Sequence, residues 1–155
     1  MHTGMQWLKL SAFVLAFAPS VALSDPLPKG AVPLTADEVH AMYSGKSSNW
    51  SESRAYFAPD GTYLIFGKDK KWYGEGKWAV DGNKICANLT WKAAGGKTGK
   101  ADDCWTWYHN GSKYMTLWSG DKDKKNAYAA GESKKLTAGD KVSAPFNDIK
   151  KKIGA

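Results

Sequence analysis

Short segments of alternating apolar and polar residues, separated by glycine-containing turns, run through the chain from Trp50 onward. Alternation with a period of two indicates half-buried β-strands. Turn sequences such as Pro59-Asp60-Gly61 and Asn110-Gly111 favour antiparallel hairpins between them. Because six or seven such strands follow one another closely, the sequence predicts a mainly β fold, either a small antiparallel β-barrel or a rolled sheet.

The predicted strands differ in how they are flanked and covered. In chain order they are residues 53–58, 62–67, 72–80, 84–91, 104–109, 112–118 and 127–132. Residues 92–103 are rich in glycine, alanine and charged residues, which predicts a flexible stretch. The strand 112–118 has apolar or aromatic residues on both faces, so we expect it to be covered on both sides.

One helix is predicted before the strands. Thr35 can cap its first turn, and Glu38 completes a capping box. Leu34 is placed to pack onto Val39 as a hydrophobic staple, and Gly45 is placed to end the helix. The apolar residues at helical spacing predict one face that packs on the main body: Val39, Met42 and Tyr43.

Residues 1–24 have the arrangement of a secretory signal peptide. Lys9 supplies the positive charge, residues 10–18 form a short apolar core, and Ala22-Leu23-Ser24 offers small residues for cleavage. The apolar core is too short to serve as a permanent membrane anchor, so no transmembrane anchor is predicted. We expect cleavage near Ser24-Asp25 and a periplasmic or secreted product.

The rest of the chain divides into three parts. Residues 25–33 contain three prolines and a glycine, which predicts an extended N-terminal segment. Residues 34–143 are predicted to form a single β-rich domain. Residues 144–155 form a basic C-terminal tail with three amphipathically placed apolar residues: Phe146, Ile149 and Ile153.

Cys86 and Cys104 are the only cysteines. An even number of cysteines in an exported chain predicts one disulfide. The alternative is a pair of metal-binding or redox thiols, but the spacing fits neither a zinc motif nor C-x-x-C. A disulfide that closes a loop of about 18 residues would stabilise the fold by about 3 kcal/mol.

The sequence shows no catalytic constellation, no metal site and no cofactor motif. His40 and His109 have no second ligand at metal spacing, and no nucleophile elbow accompanies them. Asp102 and Asp103 could form a paired-carboxylate site, although a solvated loop explains them more simply. We therefore predict a protein without enzymatic activity and without a cofactor.

The chain carries a net charge of +7 at pH 7, and Arg54 is its only arginine. A lysine-rich surface favours contact with anionic ligands, including anionic components of the cell envelope. Arginine is the residue best suited to reading bases and phosphates through paired hydrogen bonds. Its scarcity argues against sequence-specific binding of nucleic acid.

The chain contains eight tryptophans. Two interpretations remain open: the aromatic side chains fill the barrel interior while lysines surround it, or some of them line a cavity that binds a ligand. The candidate ligand contacts are Trp78, Trp91, Trp105, Trp107, Tyr114 and Trp118.

A series of motifs between residues 34 and 120 carries a resemblance to a known family. The motifs are Leu34-Thr35-Ala36-Asp37-Glu38-Val39, Tyr43-Ser44-Gly45-Lys46, Tyr56 with Asp60-Gly61-Thr62, Gly74-Glu75-Gly76-Lys77-Trp78, Cys86, Trp91, Cys104-Trp105, and Tyr108 through Tyr114. In this order they resemble the DUF995 family of small exported proteobacterial proteins. The resemblance implies a bacterial, periplasmic protein and brings no established activity or catalytic residues.

Two further similarities concern the barrel itself. Gly76-Lys77-Trp78 is similar to the glycine-x-tryptophan strand start of lipocalin-like and avidin-like barrels. The leader, the single disulfide and the tryptophan-rich strands are also similar to small exported barrels that inhibit secreted metalloproteases. In those inhibitors an N-terminal segment enters the protease cleft, whereas here residues 25–33 precede a helix.

Taken together, the residues predict a non-enzymatic periplasmic protein that binds a small molecule, a glycan or an envelope component. The alternative is a protein-interaction module, such as a periplasmic protease inhibitor or an envelope-assembly factor. A small hydrolase is a third class. A ligand binder requires a cavity lined by some of the tryptophans, an inhibitor requires a filled barrel, and a hydrolase requires His109 or the Asp102-Asp103 pair. The sequence leaves the oligomeric state open.

Overall fold

The computed structural model of the chain describes residues 25–154. Residues 1–24, predicted as the signal peptide, lie outside this range. The helices are α1 (Ala36–Tyr43), α2 (Ser143–Gly154) and the 3-10 helix η1 (Glu132–Lys135). The strands are β1 (Val32–Pro33), β2 (Lys46–Asn49), β3 (Ser53–Phe57), β4 (Thr62–Gly67), β5 (Trp72–Asp81), β6 (Lys84–Ala93), β7 (Thr98–Asn110), β8 (Lys113–Trp118), β9 (Ala129–Ala130) and β10 (Leu136–Ala138).

The strands form one antiparallel sheet in the order β10-β2-β3-β4-β5-β6-β7-β8-β9, and β1 pairs with the end of β7. The sheet curves so strongly that residues from distant strands meet across its inside. Trp50, which follows β2, stacks on Trp105 of β7 with ring centroids 5.4 Å apart. The prediction of a small antiparallel barrel or rolled sheet is confirmed, in the form of a half-barrel.

The two faces of the sheet are both covered, but by different groups. On β4, Tyr63 and Ile65 belong to the inner core, whereas Phe66 belongs to a separate outer cluster. This alternation is the period of two expected for a strand. The inner core contains the buried residues Leu34, Val39, Tyr43, Ala55, Phe57, Tyr63, Ile65, Trp78, Ile85, Ala87, Leu89, Trp105 and Trp107.

Helix α1 fills one end of the half-barrel. Its predicted capping box is present, because the Thr35 hydroxyl accepts from the Glu38 backbone N–H (3.3 Å) and the Glu38 carboxylate accepts from the Thr35 N–H (2.7 Å). Val39 and Tyr43 are buried as the helical spacing predicted. The Tyr43 hydroxyl accepts a hydrogen bond of 3.1 Å from the indole N–H of Trp107. This end of the interior is therefore packed shut.

Helix α2 contains the residues predicted to form a basic tail. It packs on the outer face of the sheet through Phe146 and Ile149, which are both buried. Phe146 meets Tyr73 edge-to-face at 5.4 Å, and the Lys150 ammonium pairs with Glu75 at 2.7 Å. The amphipathic pattern of the segment is explained by this packing. Among residues 25–154, no helix combines the length and the apolar character needed to cross a membrane.

The prediction of a flexible stretch over residues 92–103 is wrong. β6 continues to Ala93 and β7 already begins at Thr98, so the two strands form one long hairpin. Gly99 lies opposite Trp91, and the indole ring lies so close that a Cβ at Gly99 would be 2.8 Å from it. The small residue therefore complements a large cross-strand partner, although its own strand propensity is low.

The prediction that strand 112–118 is covered on both sides is also wrong. In β8, Tyr114 is 44% exposed and Trp118 is 41% exposed. The reason is that β8 lies next to the edge of the sheet. On the side away from β7, its only partner among residues 25–154 is the two-residue strand β9. The predicted final strand 127–132 is reduced to this short β9, and η1 follows it.

The predicted disulfide between Cys86 and Cys104 is confirmed, with an S–S distance of 2.09 Å. The two cysteines lie directly opposite each other on β6 and β7. Their neighbours Ile85, Ala87 and Trp105 are buried in the inner core. Because side chains alternate along a strand, the disulfide lies on the outer face and ties the two strands together from outside.

Candidate functional site

A cleft of about 490 Å³ opens at the end of the half-barrel that α1 does not fill. Its walls come from the β2–β3 turn, the adjoining parts of β4 and β5, the middle of β7, the end of β8, and the segment from residue 127 through η1. The aromatic residues that line it are Trp50, Tyr63, Trp72, Trp105 and Trp118. The interior is thus packed at one end and open at the other.

Two stacked indoles form one wall of the cleft. The rings of Trp50 and Trp105 are nearly parallel, with an interplanar angle of 12°. Trp118 lies directly opposite Trp105 on the neighbouring strand, so the two side chains emerge on the same face of the sheet. The ring of Trp118 also covers Gly120, where a Cβ would overlap it. The indole positions are therefore set by close contacts.

Three carboxylates hold these aromatic groups by hydrogen bonds. The Trp118 indole N–H donates to Asp103 Oδ1 at 3.0 Å, and its backbone N–H donates to Asp121 Oδ2 at 3.1 Å. The Trp50 indole N–H donates to Glu132 Oε2 at 3.2 Å. Glu132 also pairs with Lys135 one turn along η1. All of these residues line the cleft.

Tyr63 lines the cleft and carries an unsatisfied polar group that is buried within the wall. The residue is fully buried, and its hydroxyl has no hydrogen-bond partner among residues 25–154. Burial raises the pKa of the Tyr63 phenol well above its usual value, and the nearby charge of Asp103 raises this pKa further. The hydroxyl therefore stays neutral and keeps both a donor and an acceptor free, which in a buried position costs about 1–3 kcal/mol.

Of the six residues predicted as ligand contacts, the structure brings two together in the cleft. Trp105 and Trp118 line the cleft. Trp107 is buried in the filled end, and the Trp78 indole N–H donates to the carbonyl of Ala58 there, at 2.8 Å. Trp91 lies against Gly99. Tyr114 lines a smaller recess beside α1, at the opposite end from the cleft.

Three lining aromatics were not among the predicted contacts: Trp50, Tyr63 and Trp72. A signal for two of them was present in the sequence. In an antiparallel meander, every second turn lies at the same end of the sheet. Trp50 belongs to the β2–β3 turn, Trp72 follows the β4–β5 turn, and Trp118 precedes the β8–β9 turn. Because these turns are separated by even numbers of turns, all three tryptophans lie at the same end of the sheet.

The family model described as a protein of unknown function, DUF995, matches residues 11–142. The chain belongs to the DUF995 family. The resemblance seen in the order of its motifs is therefore confirmed. Among curated proteins and solved structures, none matches the chain. Any assignment of activity to this DUF995 protein must consequently come from the geometry of its own side chains.

The residues considered for catalysis in this DUF995 protein are dispersed. Asp102 and Asp103 lie in β7 rather than in a solvated loop, and they point to opposite faces. Asp103 holds Trp118 in the cleft, whereas Asp102 accepts a hydrogen bond from Asn88 outside it. His40 lies beside Trp78, at 5.3 Å between ring centroids. Within residues 25–154, no three histidine, cysteine or carboxylate side chains gather as a metal site.

Proposed function

We propose that this DUF995 protein is an exported, non-enzymatic binding protein that holds a small molecule, glycan or envelope component in the cleft. The observation that carries the proposal is the cleft itself, about 490 Å³ in volume and lined largely by aromatic side chains. Sites for small ligands are typically concave, mostly apolar and roughly 300–1,000 Å³ in volume. An inhibitor barrel is expected to have a filled interior, whereas this half-barrel is open at one end.

Two features support export to the periplasm as part of this proposal. Residues 1–24 have the pattern of a signal peptide. The Cys86–Cys104 disulfide is of the kind that persists in oxidising compartments. Both features belong to the sequence and to its covalent chemistry, so they are independent of the cleft.

The composition of the cleft supports binding rather than catalysis. Its lining within residues 25–154 includes carboxylates but neither histidine nor cysteine. Asp103 and Glu132 are hydrogen-bonded to indole N–H groups, which gives them a structural role. The hydrolase considered from the sequence needed His109 or the Asp102-Asp103 pair as its acid or base, and of these residues Asp103 alone lines the cleft.

The test is native mass spectrometry on protein purified gently from its own cell envelope. We expect a bound small molecule that leaves on denaturation. Trp118→Ala should weaken its binding about tenfold, or by about 1.4 kcal/mol, because an indole face is lost. Tyr114→Ala is the matched control, since Tyr114 lies on the same strand with similar exposure but at the other end.

Three results would count against the proposal. A bound molecule retained equally by both variants would place the site outside the cleft. A protein-sized adduct would favour the interaction module. Wild-type protein without any adduct would contradict stable binding of a small ligand.

A further inference from the structure

The charge of the cleft is opposite to that of the whole chain. The chain has a net charge of +7, yet the charged side chains that line the cleft in the described part are one lysine and four carboxylates: Glu52, Asp103, Asp121 and Glu132. The lysine, Lys135, is itself paired with Glu132. A concave site whose walls carry one sign of charge concentrates ligands of the opposite sign. With Lys135 paired to Glu132, three carboxylates of the cleft have no cation of the described lining beside them: Glu52, Asp103 and Asp121.

The indoles reinforce this preference for positive charge. The indole N–H groups of Trp50 and Trp118 are both engaged by carboxylates, so these donors are not free for an anionic ligand. What these two indoles still offer to a ligand is their ring surface. Ring faces attract cations, and tryptophan attracts them most strongly among the aromatic residues.

Tyr63 supplies an independent indication that a polar group of a ligand belongs in the cleft. Its buried hydroxyl lacks a partner within residues 25–154. The raised pKa of this phenol keeps the hydroxyl neutral, so its oxygen is free to accept a hydrogen bond from an N–H group. A ligand ammonium would satisfy this oxygen, and lie near the carboxylate of Asp103, once the side chains that cover the hydroxyl moved aside.

We infer that the cleft binds a small organic cation, an ammonium compound whose apolar part lies against the indoles and whose N–H groups reach Tyr63 and the carboxylates. This inference rests on the proposed binding function and deepens it. The volume of about 490 Å³ accommodates an ammonium group together with an attached ring or short chain. A neutral glycan is the competing ligand class and is distinguished by the test.

The test uses three probes that share one skeleton and differ in charge: phenethylamine, phenethyl alcohol and 3-phenylpropionate. Each is titrated into the wild-type protein and followed by tryptophan fluorescence, with N-acetylglucosamine as a neutral sugar. We expect phenethylamine to bind at least tenfold more tightly than the alcohol, and the carboxylate to bind most weakly. The preference should decrease as salt is added, because ionic attraction is screened.

Two asparagine variants separate charge from shape. Asp103→Asn keeps an oxygen that can accept from the Trp118 indole N–H but removes the negative charge from the cleft. It should weaken phenethylamine binding about tenfold and leave the alcohol unchanged, because hydrogen bonds to charged groups are the stronger ones. Asp102→Asn is the matched control, since it removes the same charge from the outer face of the same strand.

The outcomes distinguish the ligand class from the binding function. If the alcohol or the sugar bound as tightly as phenethylamine, the cation assignment would be overturned while binding in the cleft would stand. Equal losses in the Asp103 and Asp102 variants would also overturn it, because the effect would then be one of overall charge. If no probe bound and the native protein carried no adduct, both proposals would fail.

Discussion

Two buried tyrosines in the same core are expected to respond in opposite ways to loss of the hydroxyl group. Tyr43 and Tyr63 both contact the ring of Phe57, at centroid distances of 4.7 and 5.0 Å. Both are almost fully buried. They differ in hydrogen bonding, because the Tyr43 hydroxyl accepts from Trp107 whereas the Tyr63 hydroxyl has no partner in residues 25–154. Phenylalanine at each position isolates this difference.

The magnitudes follow from the cost of a buried polar group without a partner, about 1–3 kcal/mol. Tyr63→Phe removes such a group, so we expect the free energy of unfolding to rise by about 1–2 kcal/mol. Tyr43→Phe creates such a group, because the Trp107 indole N–H is left unpaired, and we expect a loss of about 1–3 kcal/mol. Each kcal/mol corresponds to a shift in Tm of roughly 3–5 °C for a domain of this size.

The assay is urea unfolding followed by tryptophan fluorescence, at neutral pH and without ligand, with the denaturant slope compared between variants. Tyr63→Phe should also weaken binding in the cleft while it stabilises the free protein. The reasoning would be refuted if Tyr63→Phe destabilised the protein as much as Tyr43→Phe. Such a result would mean that the Tyr63 hydroxyl is satisfied in the free protein.

The same two residues predict how stability changes at alkaline pH. Burial raises the pKa of both phenols in the folded state above the ordinary value of about 10. The stability associated with the neutral phenols is therefore fully present below about pH 10 and is lost as the pH rises further, because the unfolded chain releases these protons first. Each phenylalanine variant should reduce this alkaline loss.

Two further predictions concern elements on the outer face of the sheet. Replacing both Cys86 and Cys104 by serine should lower the free energy of unfolding by about 3 kcal/mol, measured by urea unfolding. Reducing agent added to the double variant is the control and should have almost no effect. If the double substitution itself had an effect no larger than this control, the prediction would be contradicted. Asp140 accepts from the backbone N–H groups of Val142 and Ser143 at 2.9 Å, at the start of α2. Partial burial raises the pKa of Asp140, but the hydrogen bonds from Ser143 and Val142 together lower it by more, so the net change is a decrease. Its contribution is present above the unfolded pKa of about 3.9 and is lost as the pH falls through the lower folded value. Asp140→Ala should cost about 1 kcal/mol at pH 7 and less at pH 3, and an equal cost at both pH values in thermal unfolding would refute this.

The parts of the fold that followed from sequence are those whose stabilising contacts are local. The capping box of Thr35 and Glu38 needs only residues three apart. The hairpin of β3 and β4 is set by the turn at Pro59-Asp60-Gly61 and by alternation on either side. The pairing of Cys86 with Cys104 follows from there being only two cysteines. None of these features depends on knowing how the sheet curves.

The elements that were missed are stabilised by partners distant in the chain. β2 contains Ser47 and Ser48, which give no apolar alternation although both are buried. The Ser47 hydroxyl donates to the carbonyl of Gly139 and accepts from the Lys141 N–H, so its burial is satisfied by residues more than 90 positions away. The amphipathic spacing of α2 was visible in the sequence, but the outer face that it covers was not. Sequence periodicity cannot identify such long-range partners.

The location of the cleft follows from the way the sheet fails to close. Within residues 25–154, β9 and β10 form no ladder with each other, and the connection between them is η1. The hydrogen bond from Trp50 to Glu132 ties the β2–β3 turn to this connection. The wall of the cleft is therefore also the closure of the half-barrel. Since Glu132 fixes the Trp50 indole in this wall, the closure of the half-barrel and the shape of the cleft depend on one contact that neither strand pattern reveals.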